Sequence, residues 1–297
     1  MLTDIVQSPS TSPLAIARDL LQLSKPRLSA LVICTAAGGI WLAPGRLDAL
    51  HAAVLLAGTT LVVSAANALN CYLERDVDAL MRRTRDRPLP AGRLEPWVAL
   101  AVGLGLPAIA LPALAWVAGP LTALLASIAL ITYVAIYTPM KQRSTLALFV
   151  GAIPGAIPPL LGWTGVTGRL DLRGLALFAV LYFWQLPHFL AVSIYLKEDY
   201  ARGGIKVFAQ IHGDRAAKVW AAVTSVVLVA VTLWLVPLKV AGPGYGIAAA
   251  LLGCGLCGYG FSGLLDASAG SRWARNFFLV TLVYLTLLLA ALFLGAH

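Results

Sequence analysis

The sequence predicts an all-α fold: a polytopic transmembrane bundle of about nine helices. Three observations carry that prediction. Hydrophobic residues make up 60% of the 297-residue chain and charged residues only 12%, about half the share found in an average soluble domain. The mean hydropathy is +0.84. Apolar runs of about twenty residues recur along the chain, enough for a helix to cross about 30 Å of hydrocarbon. In lipid only helices and closed barrels pair every backbone polar group, and these unbroken runs lack the alternation of barrel strands.

Nine spans are expected, at residues 28–44, 49–69, 96–115, 120–138, 145–163, 174–195, 217–236, 244–265 and 275–294. Gly and Pro recur inside them, which membrane helices tolerate. Nine crossings put the two ends of the chain on opposite sides. With residues 1–24 taken as a cytoplasmic segment, 18 of the 22 Lys and Arg fall inside and only Arg46, Arg169, Arg173 and Lys239 outside, as the positive-inside rule requires. The formal charge of +9 therefore reads as topology and calls for no nucleic acid. Residues 1–24 hold Asp4 and Asp19 and no apolar run ahead of a cleavage site. Neither a cleavable signal nor an acid-poor transit peptide is expected, and the expected location is a bacterial inner membrane. Residues 25–297 are expected to form one transmembrane domain. Cys34, Cys71, Cys254 and Cys257 give no disulfide framework, and the C-x-x-C at 254–257 lies in an apolar run without further ligands. It reads as small residues at a helix contact.

Acids contribute little to membrane orientation, yet only Asp48 and Asp171 of the 13 fall outside. Two polar segments, 70–95 and 197–218, follow the second and sixth spans. That spacing of four helices hints at an internal repeat, with no residue-level match between the halves. In the first segment Asn70, Glu74 and Asp78 stand at i, i+4 and i+8 and share one helical face. Such a row of oxygens suits Mg²⁺, which takes one or two carboxylates plus substrate phosphates. Asp76 points away from that face and reads as the partner of a neighbouring Arg. Arg82 lies one turn past Asp78, and Arg83, Arg85 and Arg87 follow before Pro88, where the helix is expected to end. Guanidinium groups suit phosphate oxygens, so the segment reads as a magnesium-diphosphate site. A plain basic loop would explain the arginines, but not acids aligned at the end of an apolar helix, where charge is expensive. In the second segment Glu198 and Asp199 suit a second Mg²⁺, with Lys197, Arg202 or Lys206 on phosphate. A charged turn at a helix end reads equally well there.

Asn70-x-x-x-Glu74-x-x-x-Asp78, followed by Arg83-Thr84-Arg85-Asp86-Arg87-Pro88-Leu89-Pro90, resembles the first signature of the UbiA superfamily of intramembrane prenyltransferases. Further runs extend the resemblance over roughly residues 20–295, toward the heme-farnesylating branch of that superfamily. They are Ser24-Lys25-Pro26-Arg27, Tyr137-Thr138-Pro139-Met140-Lys141, the stretch 151–163, Trp184-Gln185-Leu186-Pro187-His188-Phe189 and Lys197-Glu198-Asp199-Tyr200. The resemblance implies nine helices around a lipid-accessible tunnel under a cytoplasm-facing acidic cap. It implies Asn70, Glu74 and Asp78 as catalytic metal-diphosphate ligands, Lys141 as a catalytic cation on the diphosphate, and Glu198 and Asp199 as the second acidic site with its metal. Lys25, Arg27, Arg83, Arg87, Lys197 and Arg202 would bind substrate. The implied reaction is Mg²⁺-dependent transfer of farnesyl from farnesyl diphosphate to the 2-vinyl group of protoheme IX, after which water captures the cation and leaves a hydroxyethylfarnesyl side chain. A terminal oxidase or a heme-modifying enzyme is the implied partner.

Three departures stand out. Glu74 occupies a position where many superfamily members have Asp, Leu196 and Tyr200 stand where a second Asp-x-x-x-Asp would align, and Lys206-Val207-Phe208-Ala209 replaces a Pro-Met-Leu-Pro run. His188 is the candidate heme contact, since a neutral imidazole ligates haem iron; an interhelical hydrogen-bond partner is the equal alternative. Three other readings stay open. A prenyltransferase acting on a quinone precursor or chlorophyllide fits the same site. A transporter would place its charges near the bilayer midplane, and a noncatalytic heme-handling protein would need no aligned Asn70/Glu74/Asp78 face.

Overall fold

The computed structural model describes residues 12–266 and 269–295, with the Arg27 side chain outside that description. Asp4 and the start of the N-terminal segment lie outside it too. The helices are α1 Pro13–Leu23, α2 Pro26–Leu42, α3 Ala49–Leu80, α4 Pro96–Val117, α5 Pro120–Ile131, α6 Thr138–Met140, α7 Ala147–Ala156 and α8 Pro158–Thr167, continuing with α9 Leu172–Tyr195, α10 Lys197–Arg202, α11 Phe208–His212, α12 Asp214–Trp234, α13 Pro243–Leu265 and α14 Ser271–Leu294. A π-helical turn, Thr132–Tyr137, joins α5 to α6. No strand occurs among the described residues.

Proline opens α1, α2, α4, α5, α8 and α13, where its missing N–H is lost to no helical bond. Eight helical units among the described residues are long and apolar enough to cross a membrane, and Leu28–Leu42 is a shorter apolar helix. The chain is a multi-pass membrane protein, and each expected span falls on a helix.

Two differences from expectation matter for the site. The second span was expected to end near residue 69, but α3 runs for 32 residues. That is about 48 Å at 1.5 Å per residue, against a core of about 30 Å, so its last third leaves the apolar layer still helical. It then stops at Leu80, well short of Pro88. Met81 turns extended, with φ −96° and ψ 134°, and buries its side chain. The fifth span is split at Pro158 into α7 and α8.

α9 is the central helix, packed against α7, α8, α12 and α14, while α3 packs against α2, α4 and α5. One apolar core forms around α9 and α12–α14 and a second around α3–α5 and α8. The α2–α8 contact rests on two glycines. A Cβ on Gly39 would lie 2.1 Å from the Pro159 carbonyl oxygen, and one on Gly162 would lie 2.0 Å from that of Ala36. Small residues let membrane helices approach this closely. Gly162→Leu is expected to force the pair apart and cost about 1–3 kcal/mol. Thermal unfolding in detergent should show it, and an unshifted Tm would contradict the packing.

Candidate active site

Asn70, Glu74 and Asp78 lie on the last third of α3 and are buried, at 1%, 6% and 1% exposure. All three line a cavity of about 430 Å³, a size typical of small-molecule sites. Below them its walls are apolar, including Leu28, Val62, Leu130, Pro158 and Phe189. Asp76, on the opposite face, is exposed beside Arg75, 3.6 Å away.

Each residue of the α3 face meets a cation from a different segment. Lys25 Nζ donates to Asn70 Oδ1 at 2.7 Å, and Asn70 Nδ2 donates to Thr138 Oγ1 at 3.2 Å. Lys141 Nζ donates to Glu74 Oε1 at 2.7 Å, and Arg87 Nη1 to Asp78 Oδ2 at 2.5 Å. Asp78 Oδ1 is buried without a hydrogen-bond partner. An unpartnered carboxylate oxygen on a cavity-lining residue, beside a second carboxylate and an amide that line the same cavity, is a donor set that fits Mg²⁺.

Local folding explains how each cation arrives. Lys25 sits between α1 and α2 with φ +49°, a left-handed conformation that is uncommon outside glycine. Its neighbourhood is tied down by Asn67 Nδ2 and Ser29 Oγ, which both donate to the Ser24 carbonyl. Arg87 returns to Asp78 because the chain coils into turns after Met81. Arg85 N–H donates to the Met81 carbonyl, Arg87 N–H to that of Thr84, and Thr84 Oγ1 to that of Asp78. An unbroken helix would have carried Arg87 about 13 Å along the axis from Asp78.

Lys141 is delivered by the π-helical turn. Pro139 has no N–H and crowds the carbonyl four residues back. Thr138 N–H and Oγ1 both donate to the Tyr133 carbonyl instead. The turn brings Tyr133 and Tyr137 to the cavity wall and sets the Tyr137 ring 4.6 Å from Lys141 Nζ.

Five lining residues, Lys25, Arg83, Arg87, Lys141 and Lys206, are cationic, against two carboxylates. The excess of positive charge suits a polyanion. Burial pushes the Lys25 ammonium down to about 8. Burial also works against Lys141, but Tyr137 and Glu74 outweigh it and hold the ammonium above the ordinary lysine value. Burial is likewise outweighed at Arg87 by Asp78.

The second polar segment is placed differently. Glu198 is exposed. Asp199 Oδ1 accepts from the Arg82 backbone N–H at 2.9 Å and from Arg202 Nη1 at 3.1 Å. Lys197 pairs with Asp214 at 2.9 Å. Glu198, Asp199, Lys197 and Arg202 all lie outside the cavity lining, and Arg82 is exposed as well. From this stretch Tyr200 and Lys206 do line the cavity. Arg83 stands over the Tyr200 ring at 5.6 Å, and Lys206 N–H donates to the Lys141 carbonyl at 2.9 Å. Asp199 thus ties this segment to the end of α3.

His188 also lies outside the cavity lining. Its Nδ1 is 2.8 Å from Thr281 Oγ1 on α14, and its ring packs on Trp184 and Phe278. Thr281 Oγ1 donates to the Phe278 carbonyl, so the imidazole is the donor of the α9–α14 bond. This is the interhelical alternative. Sequence reasoning passed over Tyr133, Tyr137 and Gln185 as cavity residues. The signal for Gln185 was a lone amide inside an apolar span.

Residues 31–295 match the UbiA prenyltransferase family. A relative from Anaeromyxobacter sp. (strain Fw109-5), named protoheme IX farnesyltransferase, is 65% identical over 286 residues, covering 96% of each chain. The apo structure of a UbiA homolog from Aeropyrum pernix K1 superposes with a TM-score of 0.71 at 19% identity, over 89% of this chain and 96% of that one. A UbiA homolog from Archaeoglobus fulgidus, solved bound to DMAPP and Mg²⁺, gives 0.64 at 15% identity, over 92% and 99%.

Two outcomes are expected from this geometry. Arg87→Ala strands the buried Asp78 carboxylate and should lower the stability of the ligand-free protein by up to about 3 kcal/mol. Adding Asp78→Asn should restore most of it; an equal Tm loss in single and double variants would refute the pairing. Asp199→Asn keeps a hydrogen-bond acceptor and should stay near wild type. Asp199→Ala should lose about 1 kcal/mol of anchoring, seen as a roughly fivefold rise in KM for the prenyl donor. Equal damage by both variants would speak for a required carboxylate.

Proposed function

Because the chain belongs to the UbiA prenyltransferase family and is a prenyltransferase, we propose that it moves the farnesyl group of farnesyl diphosphate onto the 2-vinyl group of protoheme IX. The observation that carries the diphosphate half is the joining, in one cavity, of a buried Asn70/Glu74/Asp78 face, five cations and an apolar interior. The acceptor and the chain length are supported by the name of the 65% identical relative.

In this reading Asn70, Glu74 and Asp78 Oδ1 would hold Mg²⁺, and Lys25, Arg83, Arg87, Lys141 and Lys206 would bind the diphosphate. Magnesium, when bound, supplies charge against the leaving diphosphate. The cations do the same from fixed positions, which favours charge developing in the transition state. For Lys25, Lys141 and Arg87 this requires turning from their present partners to phosphate oxygens. The apolar lower walls take the isoprenoid tail and keep bulk water from the allylic cation. The same reading puts the polar end on the cytoplasmic side of a bacterial inner membrane, in line with the Lys and Arg bias. A heme-modifying enzyme or terminal oxidase would take the product.

The test is a reconstituted reaction of protoheme, farnesyl diphosphate and Mg²⁺, read by mass spectrometry of extracted hemes. Farnesylated heme should form, vanish with EDTA, and fall about 100-fold or more in Asp78→Asn. Turnover of a quinone precursor in place of protoheme would keep the diphosphate site and discard the acceptor.

A further inference from the structure

Gln185 lies in the cavity wall among apolar neighbours, including Pro154, Gly155, Pro158 and Phe189, and is only 6% exposed. Its Nε2 donates to two backbone carbonyls, those of Ala152 and Leu181, each at 3.0 Å. Both partners are pure acceptors, which fixes the amide so that Oε1 is its other end. A Cβ on Gly155 would lie 2.1 Å from that oxygen. The side chain missing at 155 is the space Oε1 occupies, and the amide cannot turn away without giving up both N–H bonds. No protein donor among the described residues reaches Oε1. It is a rigid, neutral acceptor in an otherwise apolar wall.

Its depth follows from α7. A Cβ on Gly151 would lie 2.4 Å from the Tyr137 ring, the ring beside Lys141. Gly155 is one turn further along α7, about 6 Å. Gln185 Oε1 therefore stands about one turn of α7 from the Tyr137 ring that adjoins Lys141, which in the protoheme reading puts it near the carbon that leaves diphosphate.

Resting on the protoheme reading, we propose that Gln185 orients the water that completes the reaction. The C1–O bond of farnesyl diphosphate breaks with its electron pair leaving on diphosphate. The vinyl π pair forms the new C–C bond at C1 and leaves a positive charge on the vinyl carbon next to the ring. A water held by its O–H on Gln185 Oε1 directs a lone pair at that carbon, forms the C–O bond and passes a proton to the departed diphosphate. A neutral amide suits this task, because a carboxylate there would itself trap the cation as an ester. Without an oriented water the same cation loses a neighbouring proton and gives an alkene lighter by one water.

The experiment is the protoheme assay with full-length Gln185→Leu and Gly155→Ala, scored as the ratio of hydroxylated to dehydrated heme. Gly155→Ala leaves residue 185 a glutamine and favours helix, while its Cβ, set 2.1 Å from Oε1 and 2.9 Å from Cδ, drives the whole amide off its present position, so it reports even if Gln185→Leu folds poorly. Each variant is expected to shift the ratio toward alkene by about tenfold, the worth of one hydrogen bond of about 1.4 kcal/mol. A wild-type ratio in Gly155→Ala overturns the role of Gln185. Loss of every heme product in both variants overturns it too, since orienting water leaves the earlier C–C bond formation intact. A wild-type protein that makes no farnesylated heme overturns the protoheme reading instead.

Discussion

Two carboxylates buried at the edge of an apolar bundle constrain everything around them. Glu74 and Asp78 are all but sealed from solvent, and an unpaired charge so placed costs several kcal/mol. Each is matched by a cation from elsewhere in the chain, Lys141 and Arg87. A third cation, Lys25, reaches the adjoining amide of Asn70. The α1–α2 junction, the π-helical turn and the coil after α3 are thus held to one helical face by charge. In the proposed function the same cations would exchange these partners for diphosphate, since a cation that can hold a carboxylate can hold a phosphate.

That electrostatic knot explains the irregular backbone. Left-handed Lys25, the π-helical turn before Pro139 and the abrupt stop at Leu80 all lie at the polar end, next to the cavity. π-Helical turns often mark functional sites. Here the turn has a definite effect, directing Tyr133, Tyr137 and Lys141 into one wall. Beneath it the packing is plain membrane-protein packing. Gly39 and Gly162 let α2 and α8 touch backbone to backbone, and Thr122 meets Thr164 at 2.9 Å between α5 and α8.

Much of this was legible in the chain because the governing physics is local. Apolar runs report helices directly, since lipid offers the backbone no other partner. The i, i+4, i+8 spacing of Asn70, Glu74 and Asp78 fixes a shared face wherever the helix goes. Less legible were contacts made at a distance. Glu198 and Asp199 have the composition of a metal site, but composition does not say which way a short helix faces, and Asp199 turns to the Arg82 backbone. His188 sits between cavity residues Gln185 and Phe189 in sequence, yet its ring packs toward α14.

By itself, then, the sequence determined the helical class, the positions of the spans and the Asn70/Glu74/Asp78 row, because periodicity and hydropathy act within a few turns of chain. Only the tertiary structure decided which cations reach that row, where α3 ends, and which of the polar residues on α9 and α10 face the cavity. Those outcomes depend on groups between 9 and 117 residues apart finding one another, a balance of desolvation against pairing that no local pattern encodes.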